Sequence, residues 1–322
     1  MPESGSEGDR LDGVLHSKFL VFLMRKRLFQ SALTEILRRN LPDGGFTNQL
    51  HGMFRPDATA WAMIILRAHS GHDKLVEAAG KRLERSQITD GRVVLSQDHL
   101  DTVWPTPLSI LAWQGSFSCQ AAWSKAVAFL LKAAGVHWEN TDQSLVGHDT
   151  LIPGWPWSDA THSWVTPTAM SMLALTIAGF REHERVQDGV RLLLDRQIPS
   201  GGWNYGNTSV LGNELRPFPE TTGLALNALA GQVKQKQIQS SLEFLLEHIS
   251  TFRTPLSLGW SILGLKAWHL VPDLASEWIN ETLERGSRFD GYDTASLCVL
   301  LAAGLATGGL ESLLPSVTQE NH

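Results

Sequence analysis

Hydrophobic and polar positions alternate between two kinds of helical segment along this chain. The first kind carries apolar residues at helical spacing on one face and charges on the other, as in 186–196 (VQDGVRLLLDR), 123–134 and 240–248. Such segments predict amphipathic helices with one face on a core. The second kind is apolar nearly all round and rich in Ala, Leu and Ser, which predicts helices buried on most sides. Gly-rich turns separate the two: Pro42-Asp-Gly-Gly-Phe, Thr89-Asp-Gly-Arg, Pro199-Ser-Gly-Gly-Trp and Arg288-Phe-Asp-Gly-Tyr.

The apolar segments align with one another. Pro56-Asp-Ala-Thr-Ala-Trp, Val165-Thr-Pro-Thr-Ala-Met and Pro219-Glu-Thr-Thr-Gly-Leu share a Thr followed by a small residue and an apolar run. The same register fits copies at Thr106 and Thr294 and a degenerate one at Leu258, giving anchors at Thr59, Thr106, Thr168, Thr222, Leu258 and Thr294. Periodic self-similarity of this kind marks a repeat architecture. Six helix pairs, each an outer amphipathic helix, a glycine turn and an inner apolar helix, predict an all-α fold, an (α/α)6 toroid with the inner helices around a central cavity. An open solenoid would require polar caps at its ends, whereas the last inner segment, Ala295 to Leu305, is apolar. The expected organisation is a disordered lead-in over 1–15, one toroid domain over 16–314 and a polar tail over 315–322.

Composition narrows the function. The chain has 322 residues, 43% hydrophobic and 19% charged, enough for a large core. A net charge of −6 argues against nucleic acid as a partner, which needs a basic surface. Two cysteines, Cys119 and Cys298, neither staple a chain of this size nor build a four-cysteine zinc site, and they suggest a reducing, cytoplasmic setting. No segment reads as a membrane span. The apolar stretch 18–29 with its basic cluster at 25–27 is a candidate for peripheral membrane contact, against the alternative of an opening helix packed on the domain.

Gln197-Ile-Pro-Ser-Gly201-Gly-Trp203 matches the Gln-x-x-x-Gly-x-Trp signature of squalene–hopene and related triterpene cyclases, and Gln87-Ile-Thr-Asp-Gly91-Arg-Val is a weakened copy. Over about residues 30–310 the chain resembles the α/α toroid superfamily of these cyclases and of protein prenyltransferase β subunits. The prenyltransferase zinc set of Asp, Cys and His finds no counterpart, because Asp293 and Cys298 are not on one helix face.

The resemblance implies a class II terpene cyclase, which starts its reaction by protonating an alkene or epoxide from an Asp-x-Asp-Asp motif followed by Thr-Ala. Here Arg55-Pro-Asp57-Ala58-Thr59-Ala60 aligns Asp57 with the proton donor, and Arg55 and Ala58 stand where the family has Asp. The column two residues before each anchor reads Asp57, Trp104, Thr166, Glu220, Leu256 and Tyr292, expected around one end of the cavity. Asp57, Asp101, Glu220 and Asp293 also fit first-turn or capping positions.

The third repeat carries an unusual loop, His148 to Trp164, with three Trp, two His and two Asp. Asp159 and His162 form a rival acid–base pair. Trp104, Trp155, Trp157 and Trp164, with Arg55, Glu220 and Tyr292, are the expected substrate-binding residues, since indole faces suit an apolar ligand or a cation. The alternative is a loop pinned by buried Trp. Trp203, Gln197 and Gly201 read as structural. No metal or cofactor is expected: His148, Asp159 and His162 lack the usual ligand pattern, and there is no Asp-Asp-x-x-Asp, phosphate loop or dinucleotide fingerprint. The expected partner is an isoprenoid or other hydrophobic molecule, with a homo- or hetero-oligomer open. The rival functions are a non-catalytic toroid binding a hydrophobic ligand or partner protein, and an enzyme of another class, such as a glycan-active one.

Overall fold

A computed structural model describes residues 27–139, 147–288 and 291–315. The expected lead-in 1–15, most of the stretch 18–29 and the tail from 316 lie outside the described residues. Among the described residues the chain is mostly helical, in alternating outer and inner helices. The outer helices are α1 (27–38), α3 (Asp73–Glu84), α5 (Gln120–Lys132), α7 (Glu184–Asp195), α9 (Gln239–His248) and α11 (Ala275–Arg288). The inner ones are α2 (Pro56–Ala68), α4 (Pro105–Trp113), α6 (Val165–Leu175), α8 (Pro219–Leu229), α10 (Pro255–Ala267) and α12 (Thr294–Leu305). Proline opens α2, α4, α8 and α10, where its missing N–H costs nothing and its fixed φ suits a first helical turn.

The inner helices touch in chain order, α2 to α4, α6, α8, α10 and α12, and α12 returns to pack against α2. The closing seam is also hydrogen-bonded. Thr294 Oγ1 donates to Thr47 O (2.6 Å), Thr294 N donates to Asn48 O (3.0 Å), and the buried Arg39 donates from Nη1 to Thr294 Oγ1 (3.1 Å). The last inner helix is thus tied to the first turn.

One hydrogen bond recurs at the anchors. The backbone N–H of Phe46, Val93, Trp155 and Trp203 donates to the hydroxyl of Thr59, Thr106, Thr168 and Thr222, at 2.9–3.0 Å, each bond fully buried. The separation is 13 residues in the first three and 19 in the fourth. The longer fourth turn holds a hairpin, β1 (Ser209–Val210) antiparallel to β2 (Asn213–Glu214), turned by Leu211 and Gly212 at positive φ.

The turn glycines touch the next outer helix. A Cβ on Gly91 would lie 2.3 Å from Lys125 O, and one on Gly201 2.4 Å from Ser240 O; both also hold φ near +100° (+100° and +107°), so glycine is required twice over. The preceding glutamines reinforce the joint. Gln87 Nε2 donates to Gly91 O and Ala122 O, both at 2.8 Å, and Gln197 Nε2 donates to Ser241 Oγ at 2.7 Å.

Candidate functional site

The first turns of the inner helices lie at one end of the ring, and they carry its polar groups. Asp57 is in the first turn of α2 and is 7% exposed. Arg55, immediately before the helix, donates from Nε to Asp57 Oδ1 (2.8 Å) and from Nη2 to Oδ2 (3.0 Å). These hydrogen bonds push the Arg55 guanidinium above its usual range, with the charge of Asp293 adding to them. Glu220, in the first turn of α8, accepts from Ser257 Oγ of α10 at 2.9 Å. Asp293 is a cap, accepting from Ser296 N at 3.0 Å.

Two aromatic pairs join this end. Trp104 and Trp157, both half-buried, meet edge to face with centroids 6.3 Å apart. Tyr205 and Phe218 lie 4.9 Å apart. One helical turn further in, on the same faces as Asp57, Thr166, Glu220 and Leu256, come Trp61, Met170, Leu224 and Trp260. A polar rim therefore stands over an apolar tier. This tier was missed from the sequence, although the i, i+4 step from the rim column contained it.

Three expectations are corrected. Trp155 is fully buried and cannot line an open cavity. Its Nε1 donates to Leu130 O (2.8 Å) and Arg185 lies over its ring at 4.2 Å, the same role as Trp203, whose Nε1 donates to Leu193 O (2.6 Å). Tyr292 turns outward, its hydroxyl donating to Thr282 O of α11 (3.0 Å) and its ring packed where a Cβ on Gly286 would stand. Asp159 and His162 do not pair with each other. The exposed Asp159 carboxylate accepts from Arg92, and His162 packs against Trp138 with centroids 4.2 Å apart and ring planes at 47°.

His162 instead shares a side pocket of about 200 Å³ with His137, His148, Trp138, Trp164 and Arg196. Burial, then the nearby Arg196 charge, pushes His148 down to about 4, so its imidazole is neutral at pH 7. His137 is lowered by burial and by Arg185 and Arg196. Among the described residues no group of three His, Cys, Asp or Glu is arranged to hold a metal ion. No helix among the described residues is long and apolar enough to cross a membrane.

No family model matches the chain. Lanosterol synthase of Candida albicans is 26% identical over 127 residues, a match that takes in 34% of this chain and only 16% of that enzyme. A variant of the type II terpene cyclase MstE from Scytonema, in complex with its substrate geranylgeranyl dihydroxybenzoate, superposes with a TM-score of 0.57 at 13% identity, covering 88% of this chain and 98% of that one. The GH76A α-1,6-mannanase of Salegentibacter sp. HEL1_6 superposes as well, TM-score 0.57 at 11% identity, covering 87% of this chain and 98% of its own. The fold is therefore shared by more than one chemistry. With its inner helices in contact from first to last and back to the first, the chain resembles the type II terpene cyclase MstE in fold.

Proposed function

We propose that the protein is a single-domain (α/α)6 toroid over residues 16–314 that binds an isoprenoid at the rim of its ring and cyclises it by protonation. The observation that carries this reading is Asp57, a nearly buried carboxyl in the first turn of the first inner helix, one turn above an apolar, Trp-bearing tier. A ligand with a polar head and an apolar chain suits that order of surfaces, and the MstE complex holds one of this kind on the same fold.

In this mechanism the bound chain folds back from the apolar tier so that its terminal alkene or epoxide reaches the rim, where protonated Asp57 gives it the proton. The resulting cation is closed by a neighbouring alkene, and the last cation returns a proton to a base. The product is an isomer of the substrate. Asp57 rests paired with Arg55, so the pair opens before the acid carries its proton. Arg55, a third exposed, is placed to turn to the ligand's head group, with Glu220, Trp104, Trp157 and Trp164 around the mouth.

The second reading is a non-catalytic toroid that binds the same ligands. The Arg55–Asp57 pair favours it, because an acid with both oxygens engaged is not poised to give a proton. Incubation of the purified protein with C10 to C30 isoprenoids, free and as diphosphates, separates the two. A product of unchanged mass, lost in Asp57→Asn while ligand binding persists, supports the cyclase. Bound lipid without product supports the binder.

A further inference from the structure

Trp61 on α2 and Trp260 on α10 meet edge to face, with ring centroids 5.8 Å apart and planes at 70°. Their helices are not neighbours in the ring, because α12 packs against both and stands between them. A contact between next-but-one inner helices crosses the inside of the ring. Both indoles also sit at one depth. Each follows the first residue of its helix, Pro56 or Pro255, by five positions, about 7.5 Å along an α-helix.

Backbone packing fixes Trp260 in place. A Cβ on Gly223 of α8 would lie 2.2 Å from Trp260 O, so α8 and α10 touch backbone to backbone at that residue. Beyond the pair, Ile64, Ile65, Leu111, Leu263 and Leu300 have no accessible surface, so no water-sized void borders these side chains. On the other side, Asp57 precedes Trp61 by four residues on one face, about 6 Å higher.

We infer that Trp61 and Trp260 together form the floor of the ligand cup and set the length of apolar chain it accepts. This rests on the reading of the ring mouth as an isoprenoid site. A chain entering along the ring axis meets the two indoles one helical turn below the Asp57 carboxylate. Removing either indole opens depth without touching the rim.

The test compares the wild type with Trp61→Leu and Trp260→Leu, two variants so that one failure to fold does not end it. Geraniol, farnesol and geranylgeraniol are titrated against each, and xenon uptake is followed by NMR. In the wild type, affinity should stop rising with chain length. In each folded variant the preference should move toward the longer alcohol by about tenfold or more, since the added length is then buried. An unchanged chain-length profile in folded variants overturns the floor. If no protein binds any of the alcohols, the isoprenoid reading itself falls, and xenon decides the floor alone. A new xenon site in the variants supports it, because apolar cavities take up xenon, and the wild-type response in both variants overturns it.

Discussion

Arg55 grips both carboxylate oxygens of Asp57, Nε at 2.8 Å from Oδ1 and Nη2 at 3.0 Å from Oδ2. The planar guanidinium fork matches the carboxylate, a geometry that lysine does not reproduce. The carboxylate side is 9% exposed and the guanidinium side 35%. Arg55→Met therefore leaves a nearly buried charge without its partner. We expect a loss of about 1–3 kcal/mol, below the ~3–5 of a fully buried pair because Arg55 is partly solvated. Combining Arg55→Met with Asp57→Asn should cost less than the sum of the two. Urea unfolding of the four proteins checks this; additivity within about 0.5 kcal/mol would mean the two side chains are not coupled.

The anchor threonines make a second prediction. Thr168 Oγ1 accepts from Trp155 N at 3.0 Å in a fully buried setting. Thr168→Val keeps the volume and removes the acceptor, so the N–H is left unsatisfied at a cost of about 1–3 kcal/mol. Thr168→Ser restores the oxygen and should recover most of the loss. Equal midpoints for Val and Ser would show that the hydroxyl is not what holds the turn.

These two sites differ in how far the sequence displayed them. The anchors were visible because Thr recurs ahead of apolar runs, and the inner helices because no polar face interrupts them. The 13-residue step from Phe46 to Thr59 also holds for Trp155 and Thr168, which would have marked Trp155 as the counterpart of Trp203. The loop's three Trp drew it to the ligand instead, and the fourth repeat hid the rule by inserting a hairpin that stretches its step to 19. Tyr292 was misplaced for a different reason. It precedes the cap Asp293, outside the helix, so the face it shares with the other copies on paper does not exist. The Trp61–Trp260 contact was hidden by the very feature that revealed the inner helices, since a helix apolar all round has no face that announces its inside.

Two inner-helix glycines should respond to alanine with opposite signs. A Cβ on Gly223 meets Trp260 O at 2.2 Å and the Ser261 amide at 2.6 Å, both backbone atoms that cannot swing aside. Gly223→Ala should separate α8 from α10 and cost about 1–3 kcal/mol or more. In α12, Gly304 is exposed and its Cβ would meet nothing closer than Ile279 Cδ1 at 3.9 Å. There alanine only stiffens the unfolded chain, and Gly304→Ala should gain about 0.4–1 kcal/mol. Thermal unfolding of both variants reads the signs directly, and a stabilising Gly223→Ala would refute the close approach.

His148 gives the fold a pH dependence of definite direction. Its ordinary pKa of 6.5 falls to about 4 in the folded protein, through burial first and then the Arg196 charge, with His162 adding to Arg196 and Asp149 opposing them. Its Nδ1 is buried without a hydrogen-bond partner, as is His137 Nε2 in the same pocket. Between pH 6.5 and about 4 the unfolded chain binds a proton at this site that the folded chain refuses. Stability is therefore complete above 6.5, declines as pH drops through that window, and levels off below it with respect to this group. His137, also lowered, adds a slope of the same sign. His148 is half-buried, so solvent screens part of the effect. His148→Gln removes the titrating group and keeps a hydrogen-bonding side chain. Urea midpoints at about pH 7.5 and about pH 4.5 should then differ less in the variant than in the wild type. Parallel losses in the two proteins would place the acid sensitivity elsewhere, on the carboxylates that pair with arginine around the ring.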